Sequence, residues 1–143
     1  MVSRIVHLTP EAPDLVEDAA VLLRDAFRNR TADWQDLDSA RREVHASLAS
    51  DRISRVALDP AGRVVGWIGG IPTYGGLVWE LHPLVVAEPH RRQGIARALV
   101  QDLEHLVEGR GALTLWLGSD DENDETSLSG VDLYADIPGS IQP

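Results

Sequence analysis

The sequence contains no cysteine and no lysine, and each absence excludes a class of chemistry. Without cysteine there is no disulfide, no cysteine-ligated zinc or iron–sulfur cluster, and no thiol nucleophile. Without lysine there is no Schiff-base residue and no P-loop lysine. No apolar run approaches the roughly 18 residues of a membrane span, and Arg4 precedes any run that could act as a signal peptide. We therefore expect no membrane association and a reducing, cytoplasmic setting.

Positive charge is also scarce, since 23 acidic residues outnumber 13 basic ones and the net charge is −10. A nucleic-acid duplex requires a basic face, so this balance argues against nucleic-acid binding. The last arginine is Arg110, and the stretch from Asp120 to Asp136 is strongly acidic. Such a stretch is either a solvated loop or a surface for a polycationic ligand. With 143 residues, 43% of them hydrophobic, we expect one domain, 1–143, around a sizeable core.

The order of apolar patterns predicts an α/β domain with a mixed sheet. A short first strand precedes a helix with Thr9 as its N-cap and Pro10 at the first helical position. A second helix is predicted at about 39–49, capped by Asp38. The remaining predicted elements are strands at 53–58 and 64–71, a loop at 72–76, a strand at 77–86, a helix at 93–107 stopped by Gly109, and a strand at 112–117. The last strand–helix–strand unit should join two parallel strands.

The most specific local pattern lies between a predicted strand and a predicted helix, and it reads Arg91, Arg92, Gln93, Gly94, Ile95 and Ala96. A glycine-containing turn at a helix N-terminus presents backbone amides to a phosphate group, and neighbouring arginines add bidentate pairing. The alternative is that the glycine only permits tight helix–sheet packing and the arginines are solvated. The pattern is not the dinucleotide fingerprint G-x-G-x-x-G.

This turn resembles the acyl-CoA pyrophosphate motif of the GNAT acetyltransferase superfamily, with Arg91, Gly94 and Ala96 at the matching positions. The predicted order of elements also resembles that fold, a mixed, largely antiparallel sheet with a splayed central strand and flanking helices. Further stretches resemble the aminoglycoside 6′-N-acetyltransferases, namely WELHPLVV at 79–86, LGSDD at 117–121 and TSLSGVDLY at 126–134. The first motif indicates acyl-CoA, and the last two are narrower and indicate the substrate.

The resemblance implies acetyl-CoA as cofactor, with its pyrophosphate held by the turn residues 91–96. In this superfamily the interrupted strand separates from its parallel neighbour, and the pantetheine arm binds along the strand backbone. Pro83 is a sensible cause of that interruption, because proline removes a ladder donor. The backbone amides of Leu84, Val85 and Val86 would then lie near the acetyl carbonyl and stabilise developing negative charge on its oxygen.

Two side chains on this strand suit an amine substrate. Glu80 and His82 are two residues apart and share a face, and together they could bind and deprotonate an ammonium group. A buried salt bridge for Glu80 and a structural role for His82 remain open. Tyr74 in the neighbouring loop is a candidate for covering the substrate. Asp120 and Asp121 are candidates for attracting its ammonium groups, because their surroundings lack the spacing of a calcium loop.

The resemblance implies direct acetyl transfer to the 6′-amine of an aminoglycoside or a similar polycationic amine, and with it antibiotic resistance. The family continues with a helix and two more strands, and a tyrosine early in that helix commonly protonates the CoA thiolate. This sequence ends at Gln142–Pro143, where that part should begin. The alternative is therefore a shortened, catalytically weak relative that binds a cationic ligand or a partner chain. We expect a homodimer, because the strand at 112–117 would leave an unpaired sheet edge.

Overall fold

The computed structural model describes residues 4–27 and 36–117, which form one five-stranded sheet with helices on both faces. In chain order the elements are strand β1 (Arg4–His7), helices α1 (Pro13–Phe27) and α2 (Leu37–Ala46), strands β2 (Ile53–Leu58), β3 (Val64–Thr73) and β4 (Val78–Val86), helix α3 (Ile95–Gly109) and strand β5 (Thr114–Leu117). Short 3-10 turns at Tyr74–Gly76 and Glu88–His90 follow β3 and β4. The predicted α/β class is confirmed.

The strands follow chain order across the sheet, β1-β2-β3-β4-β5. The first four are antiparallel neighbours, and β5 runs parallel to β4. A parallel neighbour requires a crossover connection, which α3 supplies. The predicted strand–helix–strand unit is therefore confirmed, and it places the N-terminus of α3 just after the C-terminal end of β4.

Each face of the sheet has its own hydrophobic core. On one face α3 packs through Leu103 against Trp79 and Leu81 of β4. On the other face α1 and α2 cover Trp67 of β3 and Val85 of β4. Because successive side chains of a strand point to opposite faces, a strand buried on both sides reads as a continuous apolar run. This explains the apolar sequences of β3 and β4.

The ladder between β3 and β4 contains a bulge. Two residues of β4, His82 and Pro83, lie opposite a single residue of β3, Gly69, and a cis peptide bond joins the two. The backbones approach so closely here that a Cβ on Gly69 would lie 2.6 Å from the carbonyl oxygen of His82. The interruption predicted at Pro83 is therefore present, and it requires glycine on the neighbouring strand.

The first two helices begin elsewhere than predicted. Thr9 and Pro10 lie in a turn before α1, and Pro13 takes the first helical position instead. The cap of α2 is Asp36 and not Asp38, because the Asp36 carboxylate accepts a hydrogen bond from the amide three residues later at 2.7 Å. Both corrections have one cause: the sequence offers two suitable cap or proline residues a few positions apart, and local spacing does not distinguish them.

The bounds of α3 and β3 also differ from the prediction. The helix α3 begins at Ile95 because Gly94 has a left-handed backbone, with φ of 81°. Gly109 is the last residue inside this helix, and the left-handed residue after it is Gly111, with φ of 89°. The strand β3 extends past Pro72, which the sequence places in a loop, because ladder pairing with β4 continues there.

A chain of buried hydrogen bonds connects α2 to the sheet. The indole Nε1 of Trp67 donates to Ser54 Oγ at 2.8 Å, and this oxygen lies 3.1 Å from Ser47 Oγ. The Ser47 hydroxyl donates in turn to the carbonyl of Val44 in the last turn of α2. Both serines are buried, so each hydroxyl needs its partner to offset lost hydration. The chain therefore fixes the end of α2 over β2 and β3.

Candidate active site

The turn between β4 and α3 presents the helix N-terminus on an open surface. Arg92 and Gly94 have positive φ angles of 65° and 81°, and a Cβ on Gly94 would meet no atom within 4 Å. The helix has no acidic residue in its first turn. The first backbone hydrogen bond of the helix runs from the amide of Ala98 to the carbonyl of Gly94, at 3.0 Å. The amides of Ile95 and Ala96 come before it in the chain and have no acceptor within the helix. This arrangement fits a phosphate group.

The C-terminal half of β4 also turns backbone polar groups away from β3. Ala87 donates its amide to the carbonyl of Val65 at 2.9 Å, so the alternation of an antiparallel ladder directs the amide and carbonyl of Val86 to the other edge. There Arg91 Nε donates to the Val86 carbonyl at 3.2 Å. In the described residues β5 pairs with β4 only over Val78–Leu81. The Val86 amide therefore faces an edge that no described strand covers.

The bulge determines which face of the sheet each β4 side chain serves. Leu81 packs in the core beside α3, and so does Leu84, although the two are three positions apart. Val85 packs in the core beside α1 and α2. In a regular strand an odd separation would place Leu81 and Leu84 on opposite faces. Glu80 and His82 flank Leu81 and therefore face α1 and α2, on one shared face as predicted.

A residue that the sequence analysis missed lies beside His82. The imidazole Nε2 of His82 is 3.9 Å from a carboxylate oxygen of Glu43 on α2, and their side chains are 15% and 23% exposed. Nothing in the local sequence singles out Glu43, since it is one of several charged residues on a surface helix. Glu43 comes close to β4 only because α2 packs on the sheet. Finding this residue from the sequence would have required a prediction of that long-range contact.

The other candidate substrate residues lie in an exposed turn or outside the described part of the chain. Tyr74 lies in the 3-10 turn before β4, with positive φ and a side chain that is 80% exposed. The loop prediction for Tyr74 is therefore confirmed, and its role as a substrate cover stays a prediction. Asp120 and Asp121 lie outside the described residues.

Neither a metal-binding cluster nor a membrane-spanning helix is present among residues 4–27 and 36–117. No group of three or more histidine, aspartate or glutamate side chains there is arranged to hold a metal ion. None of the helices in that part of the chain has the length and apolar character needed to cross a bilayer. The features that remain are the open turn, the β4 edge and the pair Glu80 and His82.

The model of the acetyltransferase (GNAT) family matches residues 17–134, which is most of the chain. The chain belongs to the GNAT family. The resemblance drawn from Arg91, Gly94 and Ala96 is thereby confirmed. Acetyl-CoA is the cofactor of this family, and the open turn and the uncovered Val86 amide of this GNAT chain fit an extended ligand that carries phosphate.

Solved structures of aminoglycoside acetyltransferases resemble this GNAT chain. It is 36% identical to the aminoglycoside 6′-acetyltransferase type Ii, with a TM-score of 0.74, over 88% of this chain and 77% of that one. It is also 36% identical to the aminoglycoside 6′-N-acetyltransferase from Enterococcus faecium, with a TM-score of 0.71, over 80% of this chain and 60% of that one.

A further structure of this kind, an aminoglycoside 6′-N-acetyltransferase complexed with coenzyme A, is 36% identical, with a TM-score of 0.72, over 80% of this chain. The GNAT chain spans 61% of the length of that enzyme, which is less than two thirds. No curated protein sequence matches the chain significantly.

Proposed function

We propose that this chain is an acetyl-CoA-dependent N-acetyltransferase acting on the 6′-amine of an aminoglycoside or a similar polycationic amine. The observation that carries the proposal is the arrangement around the β4 bulge. The uncovered backbone edge and the open turn before α3 lie on the C-terminal side of the bulge, and Glu80 and His82 project to the α2 side. The 36% identity to aminoglycoside 6′-acetyltransferases supports the choice of acceptor.

The residues that hold the cofactor follow from the open turn. The amides of Ile95 and Ala96 bind the pyrophosphate at the positive end of α3, and Arg92 adds a cation on the exposed surface of the turn. Arg91 is tied to the Val86 carbonyl through Nε, which leaves its outer guanidinium nitrogens for phosphate. Gln93 completes the turn. When bound, acetyl-CoA supplies the acetyl group as an activated thioester.

The segment Leu84–Val86 binds the extended part of the cofactor along its edge that faces away from β3. By the ladder alternation the amide of Val85 faces β3, so the predicted contact from the Val85 backbone is not possible there. The Val86 amide faces the edge of β4 that no described strand covers, so it can donate to a ligand there. An amide that points at the acetyl oxygen stabilises the negative charge that develops as the amine attacks. The side chains of these three residues remain in the two cores, which keeps the backbone rigid.

Glu80 and His82 act on the amine. The carboxylate of Glu80 binds the substrate ammonium, and the imidazole of His82 accepts a proton from it, directly or through a water molecule. In the net reaction one nitrogen–carbon bond forms and one carbon–sulfur bond breaks. The nitrogen loses two protons, of which one ends on the thiol and the other in solvent. Tyr74, Asp120 and Asp121 complete the proposed acceptor site as cover and as an acidic rim.

The test is acetyl-CoA turnover with kanamycin or tobramycin, followed by thiol release and by mass spectrometry of the product. We expect turnover above the uncatalysed rate, with one acetyl group added. A monoamine of similar size is the control, because an acidic site should favour several ammonium groups. Binding of coenzyme A and the drug without turnover would instead support a catalytically weak relative that binds a cationic ligand or a partner chain.

We also propose that the protein is a homodimer, as expected from the sequence. Exposed apolar side chains near the start of β4 and β5, Leu77 and Leu113, support association. Light scattering at tens of micromolar measures the assembly directly. A monomer at that concentration would contradict this part of the proposal and would leave the proposed reaction unaffected.

A further inference from the structure

Glu43 differs from Glu17 and Asp38, two carboxylates on the helices that cover the same face of the sheet. Glu17 of α1 forms a bidentate pair with Arg41, with nitrogen–oxygen distances of 2.8 and 3.0 Å. Asp38 of α2 contacts the same guanidinium at 3.0 Å. Among residues 4–27 and 36–117, no arginine lies within ion-pair distance of Glu43, and its carboxylate lies 3.9 Å from the imidazole of His82.

The backbone that carries Glu43 is fixed on both sides. The next residue, Val44, is fully buried and its carbonyl accepts the hydrogen bond from Ser47, which ends the buried chain from Trp67. Arg41 on the same helix is tied to α1. Because α2 cannot shift easily on the sheet, the carboxylate of Glu43 is held near β4 without needing a ligand to bring it there.

We propose that Glu43 is a positioning residue that orients the His82 imidazole toward the acceptor amine. The proposal rests on the proposed function. The 3.9 Å separation is longer than a direct hydrogen bond, and it suits one bridging water between the carboxylate and the neutral imidazole. A carboxylate on the Nε2 side favours the hydrogen on Nε2, which leaves Nδ1 as the proton acceptor. Glu43 thus acts through His82, as an orienting group acts on a catalytic base.

The first measurement does not depend on activity. Long-range proton–nitrogen spectra of the histidine rings, recorded at pH 7 on the full chain, report the tautomer and surroundings of His82. We expect the His82 ring signals to shift in Glu43→Gln, which keeps the shape of the side chain and removes its charge. The control is Asp38→Asn on the same helix, whose side chain is 78% exposed, and it should leave those signals unchanged. Identical His82 signals in the wild type and Glu43→Gln would overturn the proposal.

The second measurement is steady-state acetyl transfer. We expect kcat to fall about tenfold in Glu43→Gln, with no change in KM for acetyl-CoA, and we expect partial recovery in Glu43→Asp. In a His82→Gln background the Glu43→Gln substitution should cause no further loss, because both act through one group. Independent, multiplying losses would contradict the positioning role. If the wild type showed no transfer, the proposed function would fail, and the ring spectra would still decide whether Glu43 orients His82.

Discussion

The proposal that residues 91–96 bind the pyrophosphate can be tested at Gly94, with two substitutions that differ only in charge. The φ of 81° at Gly94 is left-handed, and a Cβ there would meet no atom within 4 Å, so a new side chain has space. The backbone strain of a non-glycine residue costs about 1 kcal/mol, and aspartate and asparagine tolerate it best. Either residue as N-cap recovers only a few tenths of a kcal/mol relative to glycine. Gly94→Asp and Gly94→Asn should therefore both fold, with a free energy of unfolding lower than that of the wild type by about 1 kcal/mol or less.

The two variants should differ sharply in coenzyme A affinity. The aspartate carboxylate would lie at the N-terminus of α3, where the pyrophosphate is proposed to bind. Two like charges about 5 Å apart, at an effective dielectric constant of about 20, repel by about 3 kcal/mol. That energy corresponds to an affinity more than about 100-fold lower. Asparagine has the same shape and no charge, so Gly94→Asn should lose only the coenzyme A affinity that the bulk of the side chain and the backbone strain remove.

Calorimetry with coenzyme A, at one fixed salt concentration, gives the comparison directly. We expect Gly94→Asn to bind within about tenfold of the wild type, and Gly94→Asp to bind more than about 100-fold more weakly. Thermal melting serves as the control for folding. A folded Gly94→Asp protein with the affinity of Gly94→Asn would show that the pyrophosphate lies elsewhere, and the assignment of residues 91–96 would be wrong.

Three further predictions address the acceptor site and the fold. Glu80→Gln should weaken tobramycin binding about 10- to 150-fold by calorimetry, the loss of one charge-assisted contact, and should leave coenzyme A affinity unchanged; an unfolded variant would instead indicate a structural role. Ser54→Ala leaves the buried indole of Trp67 without its acceptor and should cost about 1–3 kcal/mol in urea unfolding, so an unchanged midpoint would contradict the buried chain. The Arg63 guanidinium lowers the pKa of Asp18, so this carboxylate stabilises the fold above pH of about 4 and loses that effect as it is protonated below. The free energies of unfolding of the wild type and Asp18→Asn, measured in urea at each pH, should therefore converge as the pH falls. Their difference at neutral pH should be under about 1 kcal/mol because Arg63 is exposed; a difference that stays constant with pH would rule out this pair as the source.

Local periodicity was enough to predict the elements and their order. The strand β2 has its predicted bounds, Ile53–Leu58, because a short apolar stretch with β-branched Ile53 and Val56 ends at an Asp-Pro-Ala-Gly turn. Helix ends were harder to predict because Asp36 and Asp38 are equally good caps in isolation. Which one caps α2 depends on how the helix packs on the sheet, and the periodicity of one segment carries no information about that.

The candidate site likewise has a part that local sequence predicts and a part that depends on packing. The turn around Gly94 was predictable because a strand, a glycine and a helix follow each other directly in the chain. The shared face of Glu80 and His82 followed from the two-residue period of a strand. The contact with Glu43 was not predictable, because it joins a helix and a strand 39 positions apart in sequence. It exists only through the packing of α2 on the sheet.

The bulge in β4 lets the strand hold one extra residue without changing which core its side chains enter. If either His82 or Pro83 were deleted, Leu81 and Leu84 would stand two positions apart, and a regular strand would still direct both to the α3 core. Deleting Leu84 instead would move Val85 into its position and so turn Val85 from the core beside α1 and α2 to the α3 core. A mutational library across β4 should therefore recover folded proteins with a single-residue deletion at position 82 or 83 more often than at position 84.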